Sequence, residues 1–466
     1  MNTNPPMSKV SMVIPVYNKK DDIAVMLDSI INQVWDNIEL IMVNDGSTDG
    51  TRDVLDKWIP RFKERGYTVN IIDQENQGIS AAVRNGMLKM TGDYFCSVDC
   101  DDYLYPEYVS TMASWLDEHQ EYDYAACGYE RAEGTKDNWV IRTADLEKSE
   151  ALSSSNLIEN MLFFRTHIAS WVYLVRRAYL EKCRIIENFV TELRIWQEPS
   201  ISFPLAMGCG LLKYFPSVLY RFHLFDRKQS LEDRFPSFAE KYTQALRMVI
   251  KAFPLHDSEQ KNKLLFLCDF FQVKFSFIDC ENYHNRRDEK KLHAEKLTAL
   301  VNNYFEPSPN ITPEEILNTG YKPLCYILEN SILGIEAPSI KDELERLSNA
   351  RVVCYGVLGR ASKSLSMPLF ETKLKPDIFW DIAANGEIIN GLPVEKPNFP
   401  ILTENDVFIF LPLNSSVAQQ VKPELNKIGV KKTINHFQLL QYLGECFYPY
   451  FDDKNHYYST GKWRAY

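Results

Sequence analysis

No two cysteines of this chain stand in a C-x-x-C pair, although ten occur in its 466 residues. A chain of this length needs no disulfide framework, so reduced thiols in a cytoplasmic protein are expected. Cationic charge is also short: 52 Lys and Arg against 63 Asp and Glu leave a net charge of -11. A general nucleic-acid binder needs the opposite balance to displace counterions, although a local basic groove for a nucleotide is still allowed. Long apolar runs are missing as well. The richest, Leu264 to Ile278, is broken by Asp269 and Lys274, so no membrane-spanning helix is expected. The opening residues Met1-Asn2-Thr3-Asn4-Pro5-Pro6 do not have the charged-then-apolar order of a signal peptide. What is present, 45% apolar and 25% charged residues, is the composition of a globular protein of about three domains.

The first half alternates between two periods. Val10 to Val16 is an apolar run entering the turn Tyr17-Asn18, and Asp21-Asp22 opens a segment with Ile23, Met26, Leu27, Ile30 and Ile31 at helical spacing. A second run, Ile38 to Val43, meets Asn44-Asp45-Gly46-Ser47-Thr48-Asp49, where Ser47, Thr48 or Asp49 could cap the next helix. A third, Val69 to Asp73, meets Glu75-Asn76-Gln77-Gly78 before a helix from Ile79 to near Gly92. A fourth, Tyr94 to Val98, delivers Asp99-Cys100-Asp101-Asp102. Such alternation implies an α/β fold whose parallel sheet carries helices on both faces.

Ligands of such sheets sit outside the carboxyl ends of the strands. Here those ends carry Tyr17-Asn18, Asn44-Asp45, Glu75-Asn76 and Asp99 with Asp101. If the fourth strand stays extended, Asp99 and Asp101 point the same way while Cys100 faces the core. Two carboxylates presented together suit Mg2+ or Mn2+, which also binds phosphate oxygens; alone, the pattern is better read as an acidic turn closing a strand, and it needs support from the rest of the chain. Asp45 can accept from the N–H of a base, or bond its own backbone as a turn residue, and Tyr17 offers a ring face for stacking.

Ile14-Pro15-Val16-Tyr17-Asn18, Val43-Asn44-Asp45-Gly46-Ser47-Thr48-Asp49, Glu75-Asn76-Gln77-Gly78 and Asp99-Cys100-Asp101-Asp102, in this order, resemble the family 2 glycosyltransferases of GT-A fold, which implies a Rossmann-like domain with a mixed sheet. The resemblance covers residues 8–231. It implies a nucleotide-sugar donor, with a UDP-sugar as the first expectation, a divalent metal (Mn2+ or Mg2+) and transfer with inversion at the anomeric carbon. By it, Pro15, Tyr17, Asn18, Asp45 and Gly78 belong to the nucleotide-sugar site, Asp99 meets the donor's ribose or sugar, Asp101 binds metal and Asp102 holds the turn. One departure concerns Arg84. The family places Ala-Arg-Asn after the Gly-x-Ser turn; Ala82-Val83-Arg84-Asn85-Gly86 shifts the arginine by one residue, about 100° around a helix, so its diphosphate contact depends on the reach of its side chain.

An inverting displacement needs a carboxylate to take the proton of the acceptor hydroxyl. The family's base belongs to a Glu-Asp pair opening a helix, and the matching stretch is Trp196-Gln197-Glu198-Pro199-Ser200. Glu198 is the candidate, with Pro199 suited to a first helical position and the helix N-terminus favouring the charged carboxylate; Glu192 is the rival. Tyr220-Arg221-Phe222-His223 with Arg227 and Lys228 resembles the family's strand-to-lid segment. His223 there is either a metal or diphosphate contact or a structural ring, and Arg227 and Lys228 are phosphate partners. Trp171 either stacks on an acceptor sugar or fills the core.

Residues 232–348 lose the strand signal: Phe238 to Phe253, Gln260 to Cys280 and Lys290 to Phe305 have helical spacing, which reads as a helical connector. Arg286-Arg287 and Lys290-Lys291, interleaved with acids, read as a solvated helix face. Residues 349–443 resume strand and helix and resemble a smaller Rossmann-like α/β domain, with a hairpin turn at Asn390-Gly391. Its glycine loop is incomplete, because Leu358 and Ala361 follow Gly356 where glycines are needed for a pyrophosphate. Oligomerisation or docking is therefore expected of it. The tail, 444–466, is rich in aromatics with cations at its end, which suits a membrane interface, a protein groove or packing back onto the domain.

The expectation is a cytoplasmic glycosyltransferase, with or without peripheral membrane contact, acting on a glycan or lipid-linked acceptor in surface polysaccharide synthesis. Two other classes are carried with it. One is a non-catalytic scaffold of the same fold, suggested by Gln197, Pro199 and the shifted Arg84. The other is an NAD-dependent sugar-modifying enzyme, which would work through the C-terminal domain.

Overall fold

The computed structural model describes residues 7–135, 138–143, 157–162, 169–193, 198–225, 238–254, 258–279, 287–304, 308–333, 339–347, 349–358, 365–366, 368–411 and 415–448. The chain divides into two compact units, Met1–Cys268 and Asp269–Tyr466. No helix among the described residues is long and apolar enough to cross a membrane.

The first unit opens with three strand–helix repeats: β1 (Val10–Val16), α1 (Ile23–Ile31), β2 (Ile38–Asp45), α2 (Thr51–Glu64), β3 (Thr68–Gln74) and α3 (Ile79–Met87). Then come β4 (Tyr94–Ser97), β5 (Tyr103–Leu104), α4 (Tyr108–Glu118), β6 (Tyr124–Thr135), β7 (Asn138–Thr143), α5 (Leu157–Leu162), β8 (Tyr173–Arg176), α6 (Arg177–Lys182), α7 (Glu198–Met207), β9 (Leu212–Phe225) and α8 (Phe238–Ala252). The sheet order is β3-β2-β1-β4-β8-β6-β9-β5, with β7 on β6. Strands β1 to β4 are mutually parallel, as the repeat predicts. Beyond β4 the sheet is mixed, since β8 runs antiparallel to both β4 and β6 while β6 and β9 are parallel.

β1 and β2 are buried along their whole lengths. The buried Glu39 of β2 is answered at once, accepting from Ser11 Oγ at 2.6 Å and from the Thr91 N–H at 2.8 Å. Pro15 sits in β1 without cost to the ladder. The Val98 N–H donates to the Val13 carbonyl, so Val13 and, two residues on, Pro15 face the β4 side, where β4 has already ended at Ser97. α3 lies close on β1: a Cβ added at Gly86 would fall 2.4 Å from Val13 Cγ1.

The second unit begins with helices α10 (Arg287–Tyr304), α11 (Pro313–Thr319), α12 (Tyr321–Leu333) and α13 (Lys341–Glu345), after α9 (Ser258–Asp279), which starts in the first unit. The helical stretch 232–348 thus supplies helices to both. A six-stranded sheet follows: β10 (Val352–Tyr355), β11 (Ile378–Trp380), β12 (Ile388–Ile389), β13 (Leu392–Glu395), β14 (Val407–Phe410) and β15 (Lys432–Ile434), with α14 (Ser415–Ile428) and α15 (His436–Phe447). Its order, β12-β13-β11-β10-β14-β15, is the Rossmann 3-2-1-4-5 arrangement with β12 added antiparallel. Alternate residues face opposite cores. Val353, Tyr355, Trp380, Phe408 and Phe410 pack with Val421 and Leu425 of α14. Cys354, Phe379 and Ile409 pack with Leu439, Tyr442 and Leu443 of α15. The β12–β13 hairpin turns at Asn390 (φ 47°) and Gly391 (φ 84°), the left-handed pair that a type I′ turn requires. Leu358 packs against the second of these cores, and its N–H donates to Asp381 Oδ2 at 2.9 Å.

Candidate active site

Four strand ends of the first unit share one edge, and hydrogen bonds between their turns fix it. Asn18 (φ 49°) donates its N–H to Ser47 Oγ at 3.0 Å and accepts the Thr48 N–H at 2.9 Å. The Lys19 N–H donates to Thr51 Oγ1 at 2.8 Å, and Asp49 Oδ1 takes the Thr51 N–H at the start of α2. Pro15 is buried beneath this turn, while Tyr17 is 48% exposed, its ring presented at the surface.

Asp45 is buried and heavily used. Its Oδ1 accepts from Gln74 Nε2 and the Gln77 N–H, both at 2.8 Å, and its Oδ2 accepts from the Gly78 N–H at 2.9 Å. The carboxylate therefore holds the β3–α3 loop rather than its own turn. Next to it, Asp73 accepts from Asn44 Nδ2 at 2.7 Å and Arg52 Nε at 2.9 Å. These bonds keep Asp73, an exposed residue, below the usual carboxylate range against the partial desolvation that would raise it. Arg84 turns its Nε to the Ile186 carbonyl at 3.2 Å.

The acidic stretch departs from the extended conformation expected of it. β4 ends at Ser97, and the chain then turns, bringing the Asp102 N–H to 3.5 Å from the Asp99 carbonyl. The cause is Asp102, which is fully buried and accepts the Tyr220 hydroxyl on Oδ2 at 2.7 Å and the His223 N–H on Oδ1 at 2.8 Å. The Tyr220 hydroxyl in turn accepts the Asp99 N–H at 3.3 Å. Asp99 and Asp101 are thus brought together by a turn clamped to β9, not by strand alternation. Cys100 faces inward as expected, and burial pushes its thiol well up.

Asp101 is partly exposed, and its Oδ2 lies 2.6 Å from Lys19 Nζ. Burial alone would lower the Lys19 ammonium; Asp101 reverses this, and its pKa is raised. His223 Nδ1 stands 2.8 Å from the Asp101 carbonyl, which can only accept, so the proton is on Nδ1 and the basic nitrogen is Nε2. Burial lowers the His223 pKa, keeping the ring neutral near pH 7. Among the described residues no three His, Cys, Asp or Glu side chains are grouped to hold a metal ion by themselves.

Glu198 opens α7, and its Oε2 is buried with no hydrogen-bond partner among the described residues. Burial raises its pKa, outweighing the helix terminus that was expected to favour the charged form. Burial, then the nearby charges of Glu198 and Asp101, likewise hold the Asp99 carboxyl above the usual range. The hydroxyl of Tyr242 on α8 is raised by burial and by the nearby Glu198. Glu192, by contrast, is exposed. Trp171 is 5% exposed and stacked on Tyr220 at 4.2 Å, which makes it core. Trp196, Gln197, Arg227 and Lys228 lie outside the described residues.

Lys19, Tyr220 and Tyr242 were missed in the sequence. Lys19 immediately follows the Tyr17-Asn18 turn, and its position there was the available signal. Tyr220 lies three residues before His223 on β9, and nothing in the sequence marks its hydroxyl as the clamp for Asp102. Tyr242 carried no signal, being one aromatic in a helical stretch.

Residues 11–184 match the family described as Glycosyl transferase family 2. The chain is 29% identical over 242 residues to the glycosyltransferase GlyA of Streptococcus pneumoniae serotype 4, covering 51% of this chain and 33% of that protein. It is 31% identical over 221 residues to the uncharacterised glycosyltransferase YibD of Escherichia coli K12, covering 47% of this chain and 62% of that one. The chain therefore spans from a third to less than two thirds of the length of these relatives. Among solved structures, S. aureus TarS 1-349 is similar with a TM-score of 0.47 and 16% identity, over 70% of this chain and 90% of that one. The likeness to glycosyltransferase family 2 is thus carried by residues 11–184, which include the four polar strand ends of the first unit.

Proposed function

We propose that this protein transfers a sugar from a nucleoside-diphosphate sugar, in the first instance a UDP-sugar, to a hydroxyl of a glycan or lipid-linked acceptor, inverting the anomeric carbon. The observation that carries this reading is the buried, unpartnered Glu198 Oε2 beside Asp99. A carboxylate with one oxygen kept dry and without a donor is a stronger proton acceptor than one in water. Glu198 takes the proton of the acceptor hydroxyl as that oxygen attacks the anomeric carbon. The bond to the diphosphate breaks on the opposite face, and its electron pair leaves with the nucleoside diphosphate.

The other residues bind and orient. Tyr17 stacks on the base; Pro15, Asn18 and Gly78 line the nucleoside side, and Asp45 keeps the Gln74–Gly78 loop in place there. Asp99 meets the ribose or the transferred sugar, with Arg84 and Arg227 on the phosphate side. The Asp101 carboxylate and His223 Nε2 fit a hard divalent ion, Mn2+ or Mg2+, because the Nδ1–H bond to the Asp101 carbonyl fixes the required tautomer. Such an ion, completed by phosphate oxygens, would neutralise the departing diphosphate. Residues 8–231 carry the reaction in this reading, while residues 349–443 serve oligomerisation or docking.

A thermal-shift screen of nucleotide sugars with the full chain tests it, because a ligand at 100 times its Kd stabilises the native state by about 2.7 kcal/mol. At least one UDP-sugar is expected to raise Tm with Mn2+ present and not with chelator. No shift with any nucleotide sugar would contradict the reading.

A further inference from the structure

We propose that Lys19 is an internal cation that competes with the divalent ion for Asp101 and moves to the donor's diphosphate when ion and donor bind together. This deepens the donor-site reading and rests on it. Lys19 Nζ is 2.6 Å from Asp101 Oδ2, with both side chains largely enclosed, at 25% and 18% exposure. A divalent ion held by Asp101 calls on the same carboxylate, and two cations on one carboxylate repel each other. Loading an ion without donor therefore has to break a short ion pair and strand an ammonium in a half-buried site. When a diphosphate is present the ammonium has an anionic acceptor to move to, and lysine suits phosphate as a flexible point charge. The two binding events are thereby coupled, and by linkage each strengthens the other equally.

The side chain is free to play this part because the turn does not depend on it. The backbone of residues 18–20 is held by Ser47 Oγ, Thr51 Oγ1 and Asp49 Oδ2. Substituting Lys19 therefore alters the charge beside Asp101 and leaves the strand end in place.

The test is Mn2+ binding to the full chain, read from the EPR signal of free Mn2+, with and without UDP, in the parent protein, Lys19→Gln, Lys19→Arg and Asp101→Asn. Removing one positive charge beside the carboxylate is expected to tighten Mn2+ binding without UDP by about tenfold in Lys19→Gln. UDP should then strengthen Mn2+ binding less than it does in the parent, and Lys19→Arg should behave as the parent does. Equal or weaker Mn2+ binding in Lys19→Gln, with binding lost in Asp101→Asn, overturns the role of Lys19 and leaves the donor site standing. Unchanged binding in Asp101→Asn overturns both.

Discussion

Asp102 shapes the acidic turn more than either carboxylate beside it, since it ties two parts of β9 to the end of β4. Asp102→Ala would orphan the Tyr220 hydroxyl and the His223 N–H, each costing about 1–3 kcal/mol when buried. Urea denaturation should show a loss in that range or above; a change below about 0.5 kcal/mol, the level of an ordinary surface substitution, would contradict the clamp. Glu198 makes a prediction in pH. A base must be ionised, and burial raises the pKa of Glu198, so falling pH protonates it early. The acid limb of kcat should lie above the ordinary glutamate value of about 4.3. The same shift bears on stability: above that value the native state holds a proton that the unfolded chain releases, so stability declines as pH rises. Glu198→Gln, which never ionises, should therefore melt at or above the parent temperature at pH 8, and a lower Tm would count against the buried carboxylate. The residue types of this site were legible because strand ends carry them in order. The partner of Asp101 was not legible, because sequence cannot say which of Lys19 and Lys20 turns inward.

At the scale of elements, the first three strand–helix repeats were readable from hydrophobic period and turn chemistry, as was the Asn390-Gly391 hairpin, where the residue pair itself dictates the backbone. The mixed half of the sheet was expected from the family resemblance alone and is present, but its strand order had no local signal. β8 enters between β4 and β6 from about 80 residues beyond β4 along the chain, and no local signal specifies so distant a pairing. The end of β4 was also misread, because Val98 is as apolar as the strand before it and only the tertiary bonds of Asp102 stop the extension. Gly86 carries a prediction at this scale. Gly86→Ala gains helix propensity but places a Cβ 2.4 Å from Val13 Cγ1, and overpacking of a stiff β-branched neighbour costs about 1–3 kcal/mol. A lower midpoint in chemical denaturation is expected; a stabilised variant would show that α3 does not sit tightly on β1.

Two units carry two α/β sheets, and among the described residues a cluster of buried acids stands at the strand ends of the first. In the second unit, the acid that would meet a ribose in a dinucleotide site, Asp381 after β11, already accepts the Leu358 N–H on Oδ2 and the Ala383 N–H on Oδ1, both at 2.9 Å. Titration with NADH should leave its fluorescence unchanged, and saturable binding would revive a redox role for this domain. The period of strands and helices made both sheets legible in the sequence; Leu358 was read there as an obstruction and is found turned into the core. The most direct test of the account is UDP release from the best-binding UDP-sugar with Mn2+, compared between the parent chain and Glu198→Gln. Loss of a positioned general base should slow turnover by about 10²–10⁴-fold, with the UDP-induced rise in Tm retained. Turnover undiminished in Glu198→Gln would contradict the assignment of Glu198 as the base.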